Sequence, residues 1–407
     1  VLAHLSKTPG IGGALKESPE DFVVEEMAQD GTVLKIGKAF RRKPGKGRFT
    51  LFVLQKSDWT TPQALKALGE RLGCGPKRFG YAGTKDRKAL TTQLCSAWEV
   101  PPERLMDVKV RGIQINGAWA SEKGLELGDL AGNSFTVTVR GAKPRSAANV
   151  KKIFKELKGR FPNYFGEQRF GSARVNTHAV GKLIIRGDLE AAVQNYLCFS
   201  GTEENPAARE ARARLASEKS YADALDYFPQ HLKYERSMIR HLAEFKNDYA
   251  GALRALPRGI SLMFVHAYQS QLFNELLGAR VAGGRLKPAK GDWVCPKGRL
   301  GFPDLGRVRM AEKAGERWSL CLPIIGYGSS ELSEEAEALL RREGLTPASF
   351  RIKSLPELSA RGGLRAALAP LRKFGFSQRR DSAVFKFMLP PGAYATVAMR
   401  EFIDESK

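Results

Sequence analysis

Cysteine and histidine are scarce in this chain, with five of each among 407 residues. Cys74, Cys95, Cys198, Cys295 and Cys321 are widely spaced and form no CxxC pair. That spacing argues against a zinc ribbon, a disulfide framework and a zinc-dependent deaminase. His4, His178, His231, His241 and His266 form no HExxH, so no metal site is expected. Neither a complete GxGxxG nor a phosphate-binding GxxxxGKS/T run occurs, which removes the usual signatures of dinucleotide cofactors and nucleotide-driven chemistry. No apolar run approaches about 18 residues and no signal-peptide pattern is present. A cytoplasmic, reducing compartment is the expectation. Acidic residues are outnumbered as well, 43 Asp+Glu against 66 Lys+Arg, for a formal net charge of +23. An excess that large implies a polyanionic partner, nucleic acid before an anionic membrane.

What is present suffices for two or three domains with a sizeable core, since 43% of the residues are hydrophobic. Ser18–Pro19 reads as a turn entering a short strand at Phe22 to Glu26, and Val33 to Ile36 reads as a second strand. Lys35 to Arg48 follows with seven cations and no acid, a mobile loop or a clamp for a phosphate backbone. Arg48 to Lys56 is apolar on both faces and is expected at the centre of a sheet. Thr60-Thr61-Pro62 signals a helix start, with Leu65, Leu68 and Leu72 on one face and Gly73 at the end. Strands are expected at Thr92 to Val100, Ile113 to Trp119 and Asn133 to Arg140, and an amphipathic helix at Ala147 to Leu157. From Ser172 to Pro356 helical periodicity dominates, the longest helix being Ser261 to Val281. His266 within it reads as an interior histidine. Ala383 to Leu389 is a strand apolar enough to return to the first sheet, which makes the middle an insertion. The expected organisation is residues 1–171 and 357–407 as one discontinuous domain, with 172–356 inserted.

Two stretches carry chemistry. In Phe79 to Gln93, Asp86 lies among Lys85, Arg87 and Lys88, just after Gly80 and Gly83, which allow a tight turn. Neighbouring positive charge favours a carboxylate in its ionised form. Such a group is either a nucleophile or proton acceptor beside bound phosphates, or one charge of a solvated turn. In Pro162 to Gly171, three aromatics, an amide pair and an arginine fit base stacking and base-edge reading, or a turn plugging the core.

Six blocks, in order, resemble one family, the TruD-type tRNA pseudouridine synthases: LKESPEDFVVEE (15–26), YAGTKDRKALTTQ (81–93), GNSFTVTVR (132–140), NYFGEQRFG (163–171), FVHAYQSQLFNELL (264–277) and FKFMLPPGAYATVAMRE (385–401). They span essentially the whole chain. The resemblance implies an α+β fold: a pseudouridine-synthase core of mixed, largely antiparallel sheet flanked by helices, interrupted by an α/β insertion domain. It implies isomerisation of uridine to pseudouridine at position 13 of tRNA, with neither cofactor nor metal, by a monomer. Matched to the family's motifs, Asp86 is the catalytic aspartate, nucleophile or base, and Lys16 the basic residue that pairs with it and holds it ionised and oriented. Phe22, Asn163, Phe165 and Tyr394 line the uridine pocket, and Glu20 is a partner for Lys16. Phe165 stands where other pseudouridine synthases have a tyrosine, so it cannot accept the C5 proton. Tyr394 stands where bacterial relatives often have phenylalanine. The alternatives are a non-catalytic RNA-binding or RNA-chaperone module on the same fold, or another base-modifying enzyme such as a methyltransferase.

Overall fold

The computed structural model describes residues 2–43, 45–171, 174–201, 204–298, 300–315 and 317–405. Ser172, where the sequence reading starts the helical middle, and Pro44 of the basic run lie outside them. The first part of the chain carries strands β1 (Ala14–Leu15), β2 (Phe22–Met27), β3 (Phe49–Ser57), β4 (Phe79–Tyr81), β5 (Leu90–Trp98), β6 (Ile113–Ser121), β7 (Gly132–Arg140) and β8 (Arg160–Pro162). Among them run helices α1 (Thr61–Leu72), α2 (Pro102–Asp107) and α3 (Ala147–Leu157). Then come α4 (Thr177–Arg186), α5 (Leu189–Cys198), α6 (Pro206–Glu218), α7 (Tyr221–Tyr227), α8 (Lys233–Glu244), α9 (Tyr249–Arg254), α10 (Arg258–Ala282) and α11 (Glu334–Arg342). Strands β9 (Trp293–Cys295), β10 (Arg309–Met310), β11 (Ser319–Ile324) and β12 (Gly363–Ala366) belong with these helices. The chain ends in β13 (Leu368–Pro370), β14 (Arg372–Gln378), β15 (Ser382–Leu389) and α12 (Ala395–Ile403).

Two compact units emerge. The sheet unit comprises His4–Pro162, Lys297–Asp304 and Leu368–Lys407; the helical unit comprises Val1–Ala3, Asn163–Pro296 and Leu305–Ala367.

In the sheet unit a nine-stranded sheet runs β14-β15-β7-β2-β5-β3-β6, with β1 on β7 and β4 on β5. Only the β2–β5 pair is parallel among these, so the sheet is mixed and largely antiparallel. Strand alternation explains its two faces. Phe52 and Leu54 of β3 are buried with Leu65, Leu68 and Leu72 of α1, whereas Val53 packs with Leu34 and Trp119 in a second cluster. The α1 signals act as expected: the Thr60 side chain accepts from the Gln63 amide, and Gly73 closes the helix at φ 69°. The C-terminal β15 pairs with β7 along its full length, from Ser382 opposite Arg140 to Leu389 opposite Asn133. Phe374 of the neighbouring strand β14 stacks on Phe154 of α3 and Phe402 of α12, at centroid distances of 4.3 and 5.3 Å, fixing both helices to the sheet.

In the helical unit, 25-residue α10 is apolar around most of its circumference and correspondingly buried. A four-stranded sheet, β10-β9-β11-β12, completes this unit.

Val33 to Ile36 is not a strand. β7 takes one edge of β2 and β5 takes the other only along Val23 to Glu25, so Val33 finds just the short edge at its end and makes an isolated bridge to Met27. The chain turns away with the Ile36 amide bonded to the Glu25 carboxylate at 3.1 Å. The basic run that follows is tethered to β6: the Phe40 amide donates to the Asn116 carbonyl at 2.7 Å. Its docking depends on a β-bulge opposite Phe52 to Leu54 and on Gly117 within it, at φ 156°. A Cβ on Gly117 would meet the Phe40 carbonyl oxygen at 2.1 Å. Gly117→Ala is therefore expected to release the basic run while leaving the sheet folded. Limited proteolysis checks this: new cleavage between Lys38 and Arg48 with an unchanged far-ultraviolet spectrum is the expected result.

Candidate active site

Asp86 lies in the loop between β4 and β5, and nothing in that loop has regular structure. Neither Gly80 nor Gly83 adopts positive φ, so the tight turn expected from them is not what shapes it. Gly80 is required for closeness instead, since a Cβ there would meet the Leu125 carbonyl at 2.7 Å, whereas one on Gly83 meets ordinary contacts. Side chains of the surrounding sheet hold the loop. Thr61, at the start of α1, accepts from the Lys85 amide at 2.9 Å and donates to the Gln93 side chain at 2.7 Å. Gln93 in turn donates to the Gly83 carbonyl at 2.9 Å.

Two lysines lie under the loop. Lys85 is buried and paired with Glu26 of β2, whose other oxygen accepts from the Leu94 amide at 2.9 Å. Lys56 of β3 is 1% exposed and donates to the carbonyls of Trp59 and Asp86 at 2.6 and 2.8 Å. The outward-facing cations differ: Arg87 pairs with exposed Asp58 at 3.1 Å, and Lys88 is exposed. Arg87, Lys88, Asp58 and Pro19 line an open depression of about 490 Å³.

The Asp86 carboxylate meets Lys16, Nζ to Oδ2, at 2.5 Å. The lysine side chain is 14% exposed and the aspartate 37%, so the pair is open on the carboxylate side. Oδ1 accepts no hydrogen bond from the described residues. Lys16 adopts φ 58°, the left-handed region, at a cost of roughly 1–2 kcal/mol for a residue other than glycine. Its ammonium also lies 4.2 Å from the ring centroid of Phe22. Phe22 is 3% exposed, edge-on to Phe135 at 6.0 Å. The turn before it is pinned by Asp21, which accepts from the Ser18 amide at 3.0 Å and from Arg140 at 2.8 Å. Burial alone would push Asp21 up, but these bonds outweigh it and hold its carboxyl below the ordinary value.

Lys16 thus touches both Asp86 and Phe22. Glu20 is exposed on the 3-10 turn Pro19–Asp21 and makes no ion pair with Lys16. Tyr394, half-buried, precedes α12 in the same unit.

Asn163 and Phe165 belong to the helical unit, where both are buried. The Asn163 amide donates to the Ala366 carbonyl at 3.0 Å, and its Oδ1 accepts from Arg365 at 2.8 Å. The Phe165 backbone is bracketed by the Asn274 side chain, which accepts from its amide at 2.8 Å and donates to its carbonyl at 3.0 Å. The Arg365 guanidinium lies 4.2 Å from the Phe165 ring centroid. Lys56, Glu26, Asn274 and Arg365 were not singled out by the sequence reading. Among the described residues no cluster of three or more His, Cys, Asp or Glu could hold a metal ion, and no helix is long and apolar enough to cross a membrane.

Comparison with known proteins identifies the family. Two archaeal relatives, each named "Probable tRNA pseudouridine synthase D", are similar over most of their length. The one from Methanococcoides burtonii is 33% identical, across 98% of this chain and 95% of its own. The one from Methanopyrus kandleri is 39% identical, across 88% and 86%. A crystal structure of a Methanosarcina mazei protein, described as tRNA pseudouridine synthase D, superposes with a TM-score of 0.77 at 32% identity, covering 99% of this chain and 96% of the other. With the family model for tRNA pseudouridine synthase D (TruD) matching residues 1–402, the chain belongs to the TruD family.

Proposed function

We propose that this protein isomerises uridine to pseudouridine in tRNA, at position 13, with Asp86 as the group that acts on the substrate. The observation that carries the reading is the carboxylate itself: one oxygen held by Lys16, the other open to an incoming nucleotide. In the reaction the N1–C1′ bond of uridine breaks and a C5–C1′ bond forms, while C5 loses a proton and N1 gains one. Atoms and electrons balance within the substrate, so no oxidant, methyl donor or nucleotide is consumed. The demands on the protein are a nucleophile or base at the right place and a pocket for the extruded base. Asp86 meets the first, and Lys16 orients it. Phe22, Asn163, Phe165 and Tyr394 are assigned as uridine contacts, residue by residue from the family's motifs. After its two bonds to Ala366 and Arg365, the Asn163 amide retains one donor hydrogen and one acceptor lone pair for a base edge. Phe165, a phenyl ring, contributes contact area and no proton transfer. The stretch 172–356 is assigned as the family's insertion domain, and a cytoplasmic location follows from a tRNA substrate.

Asp86→Asn keeps the shape and removes the charge. It is expected to lower the single-turnover rate on the order of 10⁴-fold or more while tRNA affinity stays within a few-fold. Nucleotide-resolution mapping of pseudouridine in an unmodified transcript, with chelator and no cofactor present, reads this out. Product formed by the variant at the wild-type rate sinks the assignment. Tight tRNA binding with no product from either protein moves the weight to an RNA-binding module.

The basic run supports the polyanionic partner. Lys35, Arg42 and Arg48 are paired with Glu25, Asp30 and Glu99, whereas Lys38, Arg41, Lys43 and Lys46 are exposed without an acidic partner among the described residues. Replacing those four by Gln is expected to flatten the plot of log affinity for tRNA against log salt, by roughly 0.7–0.9 for each phosphate that is no longer neutralised. An unchanged slope in filter binding would show that the run does not touch the RNA.

A further inference from the structure

Lys56 is a buried cation that the proposed reaction does not use directly. It stands near the end of β3, opposite Thr91 of β5 and Ile113 of β6. Its side chain reaches under the Asp86 loop, where the carbonyl oxygens of Trp59, Asp86 and Lys85 lie 2.6, 2.8 and 3.4 Å from Nζ. An ammonium has three hydrogens and no lone pair, so three carbonyls use its full capacity. No carboxylate of the described residues lies within ion-pair distance of it. Burying a charge on neutral acceptors alone costs more than burying a methionine of similar length. Packing therefore does not account for a lysine here. What the ammonium supplies, and an apolar side chain does not, is a fixed anchor on the peptide of residue 86.

We infer that Lys56 is a positioning residue for the reaction proposed above: its ammonium clamps the backbone of Asp86, and Lys16 aims the carboxylate from the other end. This rests on the reading of Asp86 as the acting group. The clamp also has a built-in limit with pH. Burial pulls Lys56 down to about 8, opposed by the Asp86 carboxylate and reinforced by Lys85. The remaining titratable neighbours are Cys95 on β5, whose buried thiol is held well above its ordinary value, and Glu26 of β2, which is paired with Lys85. A free amine has one hydrogen fewer than the carbonyls require and a lone pair facing them, so the clamp slackens on deprotonation. The folded state sheds this proton at a lower pH than the unfolded chain does. Between about 8 and the ordinary lysine value of about 10.4, this group's contribution to stability therefore rises with pH. Loss of rate in that range is consequently not loss of the fold through Lys56.

The test is single-turnover rate and apparent KM for tRNA transcript across pH, for wild type, Lys56→Met, Lys56→Arg and Asp86→Asn. The wild-type rate is expected to fall about tenfold from pH ~7 to ~9. Lys56→Met is expected to lose on the order of 10²-fold in rate with KM within about twofold, and to show no alkaline limb. Lys56→Arg, which keeps its charge throughout, is expected to restore part of the rate, also without the limb. A Lys56→Met protein with the wild-type rate overturns the clamp. Should that variant fail to fold, the wild-type profile decides, and a flat one overturns the inference equally. If Asp86→Asn retains activity, the assignment of Asp86 has failed; if it is dead while Lys56→Met is fully active, only the clamp has.

Discussion

The structure around Asp86 depends on charge held out of water. A loop without regular structure has few backbone partners of its own, and here Lys56 and Lys85 substitute for them from below. Neither is a favourable element in isolation, since desolvating an ion costs several kcal/mol even after relaxation. The cost is offset by the carboxylate and carbonyl oxygens that receive these ammonium groups. Glu26 uses both oxygens, one on Lys85 and one on the Leu94 amide, and Lys56 uses carbonyls on both sides of the loop. Thr61 and Gln93 extend the same network to α1 and β5. The loop is thereby tied to the central strands β2, β3 and β5, and the carboxylate inherits the rigidity of the sheet.

That coupling also explains what the sequence made legible. Strand alternation and the Thr60–Pro62 helix start are local patterns read from neighbouring residues, whereas the cations beside Asp86 in sequence face elsewhere, Lys85 to Glu26 and Arg87 to Asp58. Lys56 ends an apolar strand, where a lysine ordinarily carries its charge out to solvent. Only the return of the chain thirty residues later buries it. The same applies to Glu26, one of two adjacent acids in β2, whose partner Lys85 is distant in sequence. Val33 to Ile36 has the composition of a strand, but pairing is a property of the sheet, and β5 leaves β2 only a short free edge at its end. Gly80 and Gly83 suggested an unusual backbone; the unusual backbone is at Lys16. A left-handed lysine beside the Asp86 carboxylate is strain the surrounding contacts must sustain, and no residue pattern announces it.

The helical unit follows the same rule with neutral groups. Asn163 was legible as an amide suited to a base edge, yet half of its capacity serves the framework, through Ala366 and Arg365. Phe165 is placed by Asn274, more than a hundred residues away, through a pair of bonds to its own amide and carbonyl. An amide side chain bonded to both backbone groups of one residue acts as a strand would, fixing position without committing the side chain. The ring of Phe165 is then oriented by Arg365 and by Phe273, edge-on at 5.4 Å. Sequence blocks that look like site residues are therefore partly scaffold, and the scaffold residues look like ordinary core.

Charge is used in two separable ways. Among the described residues the buried ionic groups number six acids (Asp21, Glu25, Glu26, Glu235, Asp292 and Glu401) and five cations (Lys56, Lys85, Arg212, Arg280 and Arg365). Burial removes the two signs almost equally, so the formal excess of +23 stays on the accessible surface. Surface charge attracts a polyanion over distances of the order of the screening length, about 8 Å at physiological salt, and weakens as salt rises. The buried groups answer to geometry and are barely screened. A tRNA is a long ladder of identical phosphates, so surface charge brings it close without choosing a nucleotide. Selecting one uridine falls to the groups that burial holds still. The cost of desolvating Lys56 and Lys85 is thus the physical counterpart of a substrate whose charge carries no address.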